Sequence, residues 1–107
     1  MRNQIPEIIK NDGKIPNTRT LREEEFLNEL RKKAFEELNE YMEANTNATA
    51  IEELADLLEI IHMLYECHGG NINEVEEVRI DKFMERGGFK EKIFLIDVKE
   101  KSIDYEP

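Results

Sequence analysis

A single cysteine, Cys67, stands among the 107 residues, so no intrachain disulfide can form and the composition fits a reducing compartment. Long hydrophobic runs are missing as well. Nothing approaches the length of a membrane span, and the opening MRNQIPEIIK has no secretory-signal pattern. We therefore expect a cytoplasmic protein without a membrane partner. Basic residues are outnumbered, 15 Lys and Arg against 25 Asp and Glu, for a formal net charge of -10. That balance argues against a general nucleic-acid surface, and a polyphosphate could be handled only through metal and a local basic patch. Internal repeats, low-complexity tracts and linkers are absent too. With 39% hydrophobic residues, the chain reads as one small domain over residues 1–107 with a modest core. The sequon Asn47-Ala48-Thr49, without a signal, is most simply a loop and helix start.

The pattern of the chain is helical. Pro6 suits the first turn of a short helix through about Lys10, closed by Asn11-Asp12-Gly13, and residues 14–19 read as extended and polar. Thr20 with Glu23 forms a capping-box pattern opening a helix over about 21–43, which Asn45-Thr46-Asn47 breaks. Thr49 with Glu52 is a second such box, for a helix running to about Cys67 before Gly69-Gly70. Asn73 with Glu76 offers a third start, and that helix stops near Arg86 at Gly87-Gly88. Ile93-Phe94-Leu95-Ile96 reads as a short strand or extended tail, and the last residues as a frayed end. The fold expected is all-α, an antiparallel helix bundle with a short extended C-terminal tail.

Two acidic doublets at i,i+3 spacing stand out, Glu37 with Glu40 and Glu53 with Asp56, each on one face of its helix. Spacing alone proves little, since Glu makes up nearly a fifth of the chain. Position on the helical wheel is the better test. Phe26, Leu27, Leu30, Ala34, Phe35, Leu38, Tyr41 and Met42 share an arc about 180° wide that contains Glu37, with Glu40 roughly 40° beyond its edge. The next helix is apolar over well more than half its circumference. Glu53 falls between Ile60 and Leu64, and Asp56 between Met63 and Cys67. A carboxylate in an apolar arc is costly unless protonated, paired or bound to metal. Four that converge need a cation, and oxygen donors suit a hard one such as Mg2+, with Mn2+ as a substitute. The plainer reading is salt bridges at a solvated bundle edge.

On the third long helix Arg79, Lys82 and Arg86 fall within about 60° of one another, a stripe able to hold phosphate or to pair with nearby Glu. Tyr41, Tyr65 and Phe89 suit either base stacking or the core. A helix as apolar as the second calls for more than one neighbour, so a homodimer or homotetramer is expected.

Taken together, Glu37-x-x-Glu40, a twelve-residue spacer, Glu53-x-x-Asp56 and the downstream Lys82-x-x-x-Arg86 resemble the all-alpha nucleoside triphosphate pyrophosphatases, the MazG-like superfamily. RNQIPEIIK, EELADLLEIIH and ERGGFKEKIFL look like its phosphoribosyl-ATP pyrophosphohydrolase-like branch. The resemblance implies that Glu37, Glu40, Glu53 and Asp56 bind Mg2+ and serve catalysis. It also implies that Lys82 and Arg86, with Arg79 on the same stripe, contact the phosphates of a nucleoside triphosphate or related nucleotide. Where that branch opens R-D-K-I-P, this chain has Asn3 and Gln4. Two charges are replaced by neutral amides, which implies either altered substrate binding or the loss of a structural ion pair.

Two other classes remain open. Glu59-Ile60-Ile61-His62 matches the Glu-x-x-His element of a di-iron carboxylate bundle, although Glu59 lies on the polar stripe. A non-catalytic helical interaction module is the second.

Overall fold

Helix α2, Glu23–Met42, is made largely of strong helix formers and carries Glu23, Glu24 and Glu25 in its first turn, where negative charge complements the helix dipole. Its N-cap is Arg22, in extended conformation and without a side-chain cap, so the expected Thr20 box does not form. One of these acids, Glu25, is held instead from outside the helix. Arg19 donates to Glu25 at 2.7 Å and Arg22 donates to the same carboxylate at 3.1 Å. These two hydrogen bonds hold the Glu25 carboxyl well below its usual range, at about 2.

Helix α3, Asn47–Cys67, begins two residues before the expected box. Thr46 is its N-cap, and the Thr46 hydroxyl accepts from the Thr49 amide at 3.1 Å. Thr49 is thus the residue capped. At the other end the Gly69 amide donates to the Glu66 carbonyl and the Gly70 amide to the Tyr65 carbonyl, both at 2.9 Å. This paired closure needs a left-handed residue just past the helix, and Gly69 supplies it at φ +74°.

The computed structural model describes residues 1–102. Among them are four helices and no strand: α1 (Ile5–Asn11), α2, α3 and α4 (Ile72–Arg86). The chain divides into two compact units, Met1–Asn71 and the part from Ile72 onward. In the first, α2 and α3 pack against each other. Only four residues separate them, so they must run antiparallel as a hairpin.

Along α2 the half-buried Leu27, Leu30, Ala34 and Tyr41 recur at three- and four-residue spacings, and Ala50, Leu57, Ile60 and Leu64 do so along α3. Each row has one gap. Glu37 fills the first and Glu53 the second, so the hairpin places a carboxylate in each row of its own core.

The second unit holds α4 and the segment after it. Arg79 donates to Glu76 at 2.7 Å, one turn back on α4. Residues 93–96 form neither helix nor strand, and their apolar side chains are exposed. A lone strand has no ladder to join among the described residues, which is why its apolar composition does not suffice. The expected fraying of the last residues concerns positions 103–107, outside the described residues.

Candidate metal centre

Glu37 is the one buried residue among those described, at 6% exposure. It sits in the C-terminal half of α2, facing α3 beside Glu53. One of its oxygens, Oε1, lies 3.4 Å from the Lys33 ammonium one turn earlier on α2. The other, Oε2, is buried without a hydrogen-bond partner, and so is Oε2 of Glu53 on the facing helix. Unpartnered buried carboxylate oxygens are costly and rare in folded proteins.

These orphaned atoms belong to a single group. Glu37, Glu40 and Glu53 each offer one carboxylate oxygen, all within 4.8 Å of one another. Glu40, one turn along α2 from Glu37, is exposed, while Glu53 is half-buried. The electrostatic consequence falls on Glu53. Its carboxyl is pushed up to about 7, first by the hydrogen bond with Glu40, then by burial, then by repulsion from Glu40, Asp56 and Glu37. Near neutral pH the free site therefore keeps a proton where a carboxylate pair would otherwise repel.

Asp56 lies one turn beyond Glu53 on α3 but outside that three-oxygen group. The Arg2 guanidinium donates to its Oδ1 at 2.7 Å, a link across 54 residues of sequence. Sequence reading did not anticipate this pair. Nor did it single out Lys33, whose ammonium is raised above its ordinary value by its hydrogen bond to Glu36 and by Glu37, against the opposing effect of burial. The i,i+4 spacing of Lys33 and Glu37 was the available signal.

Beside Glu37 and Asp56 opens a cleft of about 840 Å³, within the range of small-molecule sites. Arg2, Arg19 and Lys33 bring positive charge to its lining, and Asn3 and Gln4 line it as well. The cleft therefore joins two of the predicted acids to three cations that the sequence reading had left aside.

The remaining candidates are placed elsewhere. Lys82 and Arg86 are exposed on α4, as is Arg79, which is engaged by Glu76. Glu59 is exposed, and His62 uses Nδ1 against the Tyr65 hydroxyl, with the two rings edge to face at 5.4 Å. The three-carboxylate group contains no imidazole.

The donor set fits a hard divalent cation. It offers only oxygen ligands from two rigid helices, with negative charge in excess and two buried oxygens unsatisfied. Compared with models of known families, with curated proteins and with solved structures, the chain matches none.

Proposed function

We propose that this chain is a Mg2+-dependent nucleotide pyrophosphohydrolase that cleaves a nucleoside triphosphate, or a related nucleotide, to the monophosphate and pyrophosphate. The observation that carries the reading is the pair of orphaned buried oxygens, Glu37 Oε2 and Glu53 Oε2, within a three-carboxylate group beside a cleft whose lining includes Arg2, Arg19 and Lys33 among its acids. The motif resemblance supplies the reaction type.

In this reading Glu37, Glu40 and Glu53 hold Mg2+ or Mn2+. When bound, the cation supplies charge to offset the triphosphate and acidity to a water. Lys33 and Arg2, now paired with Glu37 and Asp56, turn to phosphate oxygens as substrate enters. Asp56, outside the three-oxygen group, takes the proton of the attacking water as general base. The water oxygen bonds to the α-phosphorus, the bond from that phosphorus to the α,β-bridging oxygen breaks, and pyrophosphate leaves. An all-oxygen donor set favours Mg2+ or Mn2+ chemistry over that of an iron site with histidine ligands.

The test is pyrophosphate release from a panel of ordinary and modified nucleoside triphosphates, with Mg2+ and with EDTA, using wild type and Glu53→Gln. Release that requires metal and disappears in the variant supports the reading. No release from any member of the panel overturns it.

A further inference from the structure

The cleft has two chemically different ends. Glu37 and Glu53 face each other across the hairpin, so antiparallel register sets Leu30, back along α2, level with Ile60, further along α3. Both lie about 10 Å along the helix axes from the acids, and Phe26 and Met63 lie about one turn beyond them. All four line the cleft, which is therefore anionic at one end and apolar at the other. The sugar of a nucleotide sets a comparable distance between its phosphates and its base.

Glu59 stands between the two ends. It lines the cleft one turn beyond Asp56 on α3, about 9 Å along the axis from Glu53. The other acids of the lining are engaged: Glu29 by Lys32, Glu36 and Glu37 by Lys33, and Asp56 by Arg2. Glu59 has no ion-pair or hydrogen-bond partner among the described residues. An ionised carboxylate only accepts hydrogen bonds, so what it takes from a ligand is a donor. Its charge also repels phosphate, which leaves the base as the part of a nucleotide that can meet it.

We propose that Glu59 is the specificity-determining residue of this cleft and that the substrates are nucleotides with an amino-bearing base, of the cytosine or adenine type. The inference rests on the nucleotide reading above. The base lies against the apolar end, and its exocyclic amino group donates to the Glu59 carboxylate. Uracil and hypoxanthine match cytosine and adenine in size and stacking but carry an oxygen where those carry the amino nitrogen. They turn an acceptor toward a carboxylate, lose the hydrogen bond and add repulsion. Glu59 is exposed, so water screens the contact, and the discrimination expected is about tenfold.

The test compares CTP with UTP and ATP with ITP, by kcat/KM and by the dissociation constants of their α,β-methylene analogues with Mg2+, which bind without being cut. Wild type, Glu59→Gln and Glu66→Gln are measured together. Glu66 is also exposed on α3 but does not line the cleft. Wild type and Glu66→Gln should prefer the amino member of at least one pair about tenfold, whereas Glu59→Gln, whose amide both donates and accepts, should bring the ratio to within about twofold. Amino-selective binding that Glu59→Gln abolishes upholds the proposal even where none of the triphosphates is hydrolysed, an outcome that counts against the hydrolase reading alone. Hydrolysis without such a preference overturns the proposal and leaves the hydrolase reading standing. Equal wild-type affinities within both pairs, a preference that survives in Glu59→Gln, or no binding of any analogue overturns it as well.

Discussion

If the three glutamates hold a divalent cation, proton and metal must compete for Glu53, and the competition can be calculated. The Glu53 carboxyl lies at about 7 in the folded chain against an ordinary 4.5, so between those values the metal-free fold carries a proton that the unfolded chain does not. Its stabilising effect is complete below pH 4.5 and is lost as pH rises through 7, where the acids begin to repel. Cation binding requires the carboxylate ionised. Below pH 7 binding must displace one proton, so the apparent Kd for Mg2+ or Mn2+ weakens about tenfold per pH unit there, or about thirtyfold from pH 8 to pH 5.5. Calorimetry in two buffers of different ionisation heat counts the proton directly, with about one released at pH 5.5 and almost none at pH 8. Carboxyl NMR of the metal-free chain reads the same group alone and should give a midpoint near 7. Glu40→Gln, which removes the first cause of the shift, moves that midpoint down toward 4.5. A Kd independent of pH over this range, or a wild-type Glu53 midpoint near 4.5, refutes the reasoning.

Further outcomes follow from the same geometry. Glu37→Gln and Glu53→Gln should abolish turnover and metal binding while the metal-free protein stays folded. Mg2+ at about 100 times its Kd should add about 2.7 kcal/mol to wild type and nothing to either variant, as thermal shift would record. Thr46→Ala removes the one side-chain cap of α3 and should cost about 1 kcal/mol in urea unfolding, whereas Thr20→Ala should cost nothing measurable. Glu25 should titrate at about 2 and move up in Arg19→Ala, so its ion pair is lost only as pH falls through that value. Lys33→Ala should raise KM more than it lowers kcat, and an unchanged KM would remove Lys33 from the site.

The helices were legible because their signals are local. Glycine and asparagine punctuation and the apolar period located α1, α2, α3 and α4 to within a few residues. The starts were less so, because Thr46 and Thr49 are both good caps and only the packed backbone chooses between them. The wheel put Glu37 and Glu53 among apolar neighbours, and these are the acids whose oxygens end up orphaned. It could not find Arg2 beside Asp56, since nothing in a sequence reports a contact across 54 residues. The Ile93-Phe94-Leu95-Ile96 run left a strand and an extended tail equally open, and the strand did not form among the described residues. Its composition suits a strand, but a strand is a property of two segments.

The Arg2 and Asp56 pair also bears on the order in which the molecule assembles. A hairpin closed by four residues can zip quickly, since its contacts grow outward from the turn. The ends of an ion pair separated by 54 residues meet only after that, so the first residues reach a hairpin already formed. What assembles last through few contacts is also what opens first in the native state. The wall of the cleft contributed by the first residues is therefore its hinged side, and amide exchange should be fastest there while the middle of α2 and α3 stays closed.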